Sequence, residues 1–88
     1  MAFTGSVDEQ FAQAVEASKG LTTDPGNDAK LQMYALYKQS TSGDVAGKRP
    51  GFTDPVGRAK YDAWSKTKGT SGADAKQQYI DMIAALAG

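Results

Sequence analysis

Apolar residues recur along this chain at helical spacing, in four blocks separated by breakers. Val7, Phe11, Ala14 and Val15 follow the i, i+4, i+7, i+8 pattern of one helix face. Ser6 and Glu9 stand at capping-box spacing ahead of it, so a first helix is predicted over 7–19, with Gly20 at its end. The turn-rich run Thr22-Thr23-Asp24-Pro25-Gly26-Asn27 follows. Asn27 or Asp28 then reads as the cap of a second helix over 28–40. Its large residues Leu31, Met33, Tyr34, Leu36 and Tyr37 cover more than a single stripe. That excess predicts contact with two helices, or with helices on one side and a ligand on the other.

Residues 42–53 form the longest non-helical connection, broken by Gly43, Gly47, Pro50 and Gly51, and Phe52 is expected to tuck this loop onto the body. Asp54-Pro55 opens a third helix, an acceptor at the cap followed by proline in the first turn. That helix is predicted over 55–67. Ala59 and Ala63 permit close packing on one face, which Val56 and Thr67 extend, while Tyr61 and Trp64 occupy the adjacent face and Asp62 is expected to pair with Lys66 at i, i+4. Gly69 ends it, and Ser71 with Asp74 caps a fourth helix over 72–86, whose stripe is Ala75, Tyr79, Met82, Ile83 and Leu86. Alternating β-branched runs are missing. The expectation is an all-α four-helix bundle, with the 88 residues forming one domain.

Composition narrows the chemistry. The chain holds neither cysteine nor histidine, which leaves no thiol or imidazole for a metal, a nucleophile or a base. The opening Met1-Ala2-Phe3-Thr4-Gly5 lacks the basic and apolar segments of a secretory signal, and no window approaches a membrane span of ~18 apolar residues. A cytoplasmic location is the resulting expectation. Formal net charge is zero, yet residues 1–30 carry two basic and five acidic groups, whereas 31–68 carry seven basic and three acidic. A neutral chain with a basic middle suits a discrete anionic ligand better than a nucleic acid.

The residues with most to offer lie in that middle. Tyr34 and Lys38 share a helix face at i, i+4, with Tyr37 beside them. A phenol and an ammonium so placed suit a phosphate and a flat ring; equally, Tyr34 is core and Lys38 snorkels across it. Lys60 would add a second cation from the third helix, or belongs with Arg58 to a solvated basic face. Tyr79 is either a core phenol or a ring facing a groove. No pairing of carboxylates or nucleophiles supports catalysis.

Four ordered blocks add a resemblance. They are Tyr34 to Asp44, Lys48-Arg49-Pro50-Gly51, Gly57-Arg58-Ala59-Lys60-Tyr61-Asp62-Ala63-Trp64, and Lys68-Gly69-Thr70-Ser71 continuing to Tyr79-Ile80. Together they resemble the acyl-coenzyme A-binding protein family, from about Phe11 to Leu86. The resemblance implies a four-helix bowl that holds one long-chain fatty acyl-CoA, without a cofactor, a metal or a catalysed reaction. Carried onto this chain, it sets Tyr34, Lys38 and Lys60 around the nucleotide 3′-phosphate, with Tyr37 lining that region. It sets Tyr79 near the adenine, Lys19 near the headgroup, and Ala14 and Val15 beside the ligand. It also implies a monomer that makes transient contacts with acyl-CoA-producing or -using enzymes and with membrane surfaces.

Several positions depart from the family pattern. Tyr61 stands for a tryptophan and Lys30 for an apolar residue, both near the acyl tail, so a softened tail end is expected. Leu36 replaces a frequent histidine and Asp24 a basic residue, and the chain ends at Ala87-Gly88 where relatives often carry a lysine-rich tail. The alternative reading is a helical protein-interaction module without acyl-CoA binding.

Overall fold

Side-chain caps set three of the four helix starts in the computed structural model, which describes residues 3–87. Met1, Ala2 and Gly88, which bear on the expectations about a leader and a tail, lie outside the described residues. Helix α1 spans Val7–Lys19 and opens with the full capping box, in which Glu9 N–H donates to Ser6 Oγ and Ser6 N–H donates to Glu9 Oε1. Helix α3 spans Pro55–Ser65, with Asp54 accepting from Gly57 N–H. Helix α4 spans Gly72–Ala87, with Ser71 Oγ accepting from Asp74 N–H.

Helix α2 starts differently from its expectation. It spans Asn27–Ser42, so Asn27 is its first helical residue and no side chain caps it. Gly26 holds the cap position at φ 91°, a conformation that glycine reaches without a Cβ penalty. Asp24 takes up Gly26 N–H at 2.8 Å and so fixes the entry turn. At the other end α3 stops two residues short of the expected Thr67. There Thr67 N–H bonds Trp64 O and Lys68 N–H bonds Ser65 O, so the last turn tightens to i→i+3 bonds.

Helix α4 packs against α1 and α2, and α2 packs against α3. The helices therefore lie side by side in the order α1, α4, α2, α3. The body measures 40 × 28 × 15 Å. The large residues around α2 are explained by its two helical neighbours. The core sits where α1, α2 and α4 meet, with Phe11, Ala14, Leu36, Tyr79, Ile80 and Ile83 buried and Phe3, Val15 and Met33 packed against it. Phe11 and Tyr79 meet edge to face at 5.2 Å between centroids, and Tyr37 stacks on Phe11 at 6.1 Å while lying 6.4 Å from Tyr79.

Three expectations are corrected. Phe52 does not tuck in: it is 83% exposed. Val56 is 65% exposed and adds nothing to the Ala59/Ala63 packing face. Asp62 pairs with Arg49 at 2.7 Å rather than with Lys66 one helical turn away. The loop over 43–54 is instead held by polar bonds. Trp64 Nε1–H donates to Gly43 O at 2.8 Å, Tyr61 O–H donates to Gly47 O at 3.0 Å, and Arg49 grips both Asp62 oxygens.

Candidate functional site

Helices α2 and α3 run in the same direction, because Leu31 meets Val56 and Ala59 in one groove, while Lys60 reaches Tyr34 and Lys38 reaches Trp64 further along. A parallel pair needs a connection long enough to return across the molecule, and residues 43–54 supply it. Near the loop's origin lies Gln39, a buried hub that sequence reasoning passed over. Its amide donates to Asp44 Oδ1 and to Thr70 O, both at 2.8 Å, and it accepts from Thr67 Oγ1 at 2.9 Å. Asp44 also accepts from Gly69 N–H at 2.9 Å. A glutamine in a helical stripe carries no periodic signal, so only its three-dimensional partners reveal it.

Tyr34, Lys38 and Lys60 come together on one face of the α2–α3 pair. The ammonium of Lys60 lies 5.4 Å from the Tyr34 ring centroid, and that of Lys38 lies 4.9 Å from the Trp64 ring. Each lysine thus rests on an aromatic ring of the opposite helix. Neither has a carboxylate partner among the described residues, unlike Lys19, Lys30, Arg49 and Lys76. A cation–π contact at an exposed site is worth only about 0.5–1 kcal/mol, so an incoming phosphate outcompetes it. The part played by Trp64 beneath Lys38 was not foreseen from sequence, because it depends on the parallel register of the two helices.

An open groove of about 370 Å³ adjoins this face. Leu31, Pro55, Val56 and Ala59 give it apolar walls, with Asn27, Lys30 and Lys60 along it. Every wall residue comes from the N-terminal part of α2 or α3, and the lysine–ring contacts follow toward the C-terminal parts. The seam therefore runs from an apolar-walled groove, bordered by Lys30 and Lys60, to the lysine–ring contacts. A larger cleft of about 660 Å³ lies along the same helix pair and shares Leu31 and Ala59 with the groove. It takes in Asp28, Gln32, Asp62, Lys66 and Gln78 but none of Tyr34, Lys38 or Lys60, so two carboxylates stand there against one ammonium.

The remaining candidates are placed less uniformly. Tyr37 is 41% exposed and closes the aromatic trio with Phe11 and Tyr79. Tyr79 is 4% exposed, which selects its reading as a core phenol. Ala14 has no exposed surface and packs in the core, so it offers a ligand nothing in this conformation. Val15 is half-buried beside it. Lys19 lies at the end of α1 in an exposed ion pair with Glu16 at 3.2 Å. Lys30 lines the apolar groove while its ammonium holds Asp24 at 3.2 Å, so the stem is wall and the charge is solvated. Tyr61 departs from its expected place: its hydroxyl secures the loop at Gly47, and its ring is not among the groove walls.

Hydrogen bonding perturbs several charged groups of the scaffold, three carboxyls and the Arg49 guanidinium, which its bonds to Asp62 shift upward. The N–H of Gly69 and the Gln39 amide hold the Asp44 carboxyl below the usual carboxylate range. The Arg49 guanidinium does the same for Asp62, and Gly26 N–H, then Lys30, for Asp24. Each charged form gains hydrogen bonds that its neutral form lacks.

Residues 8–83 match the family described as acyl CoA binding protein. The chain belongs to the acyl-CoA-binding protein family. An acyl-CoA-binding protein homolog of Drosophila melanogaster is 46% identical over 80 residues, covering 91% of this chain and 93% of that protein. Part of enoyl-CoA delta isomerase 2 of Rattus norvegicus is 41% identical over 78 residues, which is 89% of this chain but 20% of that protein. The crystal structure of acyl-CoA-binding protein 2 of Oryza sativa shares the fold at a TM-score of 0.88 and 37% identity, covering 92% of this chain and 90% of that one. The corresponding structure from Moniliophthora perniciosa gives a TM-score of 0.80 at 38% identity, over 92% and 78% of the two chains. The family relationship establishes the all-α four-helix architecture and a non-catalytic, acyl-CoA-binding, lipid-transport class of protein.

Proposed function

We propose that this acyl-CoA-binding protein family member sequesters medium- to long-chain fatty acyl-CoA and carries it through the cytoplasm, with the ligand laid along the α2–α3 seam. The observation that carries this reading is the polarity of the seam. Tyr34, Lys38 and Lys60 receive the nucleotide 3′-phosphate at the cationic end. The groove of Leu31, Pro55, Val56 and Ala59 receives the acyl chain at the apolar end. Each methylene buried there stabilises the complex by about 0.8 kcal/mol, while the phosphate contacts fix orientation. The cations are already clear of carboxylates, so binding breaks only weak lysine–ring contacts. Tyr37 flanks the phosphate end, and the stem of Lys30 serves as the softer part of the tail wall. Delivery to enzymes or membranes requires only that the complex open again.

Titration calorimetry with palmitoyl-CoA, free CoA and palmitate tests the reading. Tight one-to-one binding of the thioester, with weak binding of either separated part, is the expected result. No heat and no chemical-shift change with palmitoyl-CoA would overturn it.

A further inference from the structure

A lysine rests on an aromatic ring at three places among the described residues, and the ligand reading uses two of them. The third is Lys76 of α4, whose ammonium lies 5.8 Å from the Phe11 ring centroid. It differs from Lys38 and Lys60 in one respect: Asp8, in the first turn of α1, accepts from it at 2.8 Å. The Phe11 ring joins Lys76 to the ligand face. Tyr37 stacks on Phe11 and is 41% exposed. Tyr34 and Tyr37 stand three apart on one side of α2. A run of side chains therefore leads from Lys60 over Tyr34, along α2 to Tyr37, and across Phe11 to Lys76.

A clasp between α1 and α4 would explain the ion pair, but exposure gives it little to hold. The Asp8 side chain is 80% exposed and that of Lys76 is 27% exposed. A pair with a carboxylate so open to water stabilises the fold little, and the buried Phe11, Ala14 and Ile83 already seat α1 on α4. Asp8 is also favoured without Lys76, since an acidic group in a first turn meets the positive end of the helix dipole. The lysine stem is packed while its ammonium stands at the ring. Such a cation exchanges a hydrated carboxylate for a phosphate at small cost. The ligand reading supplies the phosphate. A 3′-phosphate alone carries about two negative charges, and the diphosphate of a coenzyme A headgroup adds more, so Lys38 and Lys60 leave charge unbalanced.

We propose that Lys76 is a third cation for the phosphorylated headgroup of the ligand, held in reserve over Phe11 by Asp8. On binding, its ammonium leaves the Asp8 carboxylate and donates to a phosphate oxygen, while its stem stays packed. Asp8 then competes with the ligand for one cation and sets the affinity from outside the site. The inference rests on the acyl-CoA reading for the identity of the ligand; its demand for a phosphate is independent of the acyl chain.

Calorimetry with palmitoyl-CoA and with adenosine 3′,5′-bisphosphate tests this on two variants and their combination. Lys76→Met keeps the packed stem and should weaken both ligands about tenfold, the scale of one charged hydrogen bond. Lys76→Arg should restore most of that loss. Asp8→Asn should strengthen both ligands about two- to fivefold, the scale of a surface ion pair that binding no longer has to break. Combined with Lys76→Met, Asp8→Asn should bring no gain. Urea midpoints of the variants check the fold. A clasp without a binding role predicts otherwise: lower midpoints and unchanged affinities. The proposal is overturned if Lys76→Met leaves affinity unchanged, if Asp8→Asn weakens binding, or if its gain persists in the Lys76→Met background, where it would be charge alone. Palmitoyl-dephospho-CoA locates the contact: a Lys76→Met loss that persists with it assigns the diphosphate, and a loss that disappears assigns the 3′-phosphate, each in support. The two readings fail separately. Binding of palmitoyl-CoA that needs Lys38 but ignores Lys76 keeps the ligand reading and sinks the third cation. Binding of the bisphosphate through Lys76, in a protein that takes no palmitoyl-CoA, does the reverse.

Discussion

Helices α3 and α4 are both amphipathic and both begin at a side-chain cap, yet they are held in opposite ways. Helix α4 lies between α1 and α2 and buries Ala75, Tyr79, Ile80 and Ile83. Helix α3 touches only α2 among the helices and buries no residue at all. It is kept in place by two small residues, Ala59 and Ala63, and by polar bonds from Tyr61, Asp62 and Trp64 to the preceding loop. The comparison teaches where stability and binding reside. The inner helix carries apolar burial, while the rim helix carries Lys60 and one wall of the groove. Elements with few buried contacts open at low free energy, which suits a surface that must admit and release a ligand.

The sharpest way to break the contrast is a cavity in the inner helix. Ile83 has no exposed surface, so Ile83→Ala is expected to cost about 2–5 kcal/mol of unfolding free energy. Urea denaturation measures it, and palmitoyl-CoA affinity of the folded fraction should hardly move. A large loss of affinity at unchanged stability would show that the core, rather than the rim, shapes the site.

The rim should answer in the reverse sense. Lys38→Ala and Lys60→Ala are each expected to weaken palmitoyl-CoA binding by roughly 2–4 kcal/mol, the scale of truncating a desolvated charge partner, with little change in denaturation midpoint. The penalty should shrink for a ligand lacking the 3′-phosphate. If both variants lose equally with that ligand, these lysines hold the diphosphate or the fold instead. Tyr34→Phe keeps the ring under Lys60 and should lose only about 0.5–1.5 kcal/mol, one hydrogen bond.

A smaller effect separates the polar hub from both helices. Asp44 is more acidic in the folded chain than in the unfolded one, because Gly69 N–H and the Gln39 amide favour its charged form. Its contribution is therefore complete above the unfolded value of about 4 and is lost as pH falls through the lower folded value. Thermal midpoints should decline on acidification below about pH 4, and less steeply in Asp44→Asn. Part of the slope should remain, since Asp24 and Asp62 are shifted in the same direction. An unchanged slope would show that the hub contributes nothing through its carboxylate.

What was legible in the sequence follows the same division. Caps are local chemistry, so Ser6 with Glu9, Asp54 with Pro55, and Ser71 with Asp74 all mark helix starts that the structure has. The α4 stripe is readable because burial on one face repeats at helical spacing, although Leu86 at its end is exposed and Ile80 escaped it by lying at the stripe's edge. Tyr34, Lys38 and Lys60 were legible as a set. The aromatic partner of Lys38 was not, since that contact needs the parallel return of α3 through a loop whose path is fixed by Gln39, Asp44 and Arg49. Phe52 misled because an aromatic residue in a glycine-rich loop usually reads as an anchor, whereas here the polar bonds already do the anchoring. The same loop hid the partner of Asp62, which lies thirteen residues away rather than four.

Tyr61 gives the smallest expected effect and the finest test of what the rim helix is. Its hydroxyl donates to Gly47 O at 3.0 Å, so its evident work is to tie α3 to the loop. Tyr61→Phe removes that one bond and is expected to cost about 0.5–1 kcal/mol of stability, because the partly exposed carbonyl regains water. Binding should weaken little and by the same factor for every acyl length, because Tyr61 is not a wall of the groove. Tyr61→Trp would place at this position the residue usual in the family while deleting the hydroxyl. If the tail reached it, affinity would rise by about 0.5–1.5 kcal/mol for the longest thioesters alone, the scale of an added aromatic contact. The geometry predicts instead no gain that depends on chain length. Calorimetry with a series of thioesters decides between the two, and a gain confined to the longest chains would turn the loop-facing side of α3 into part of the acyl site.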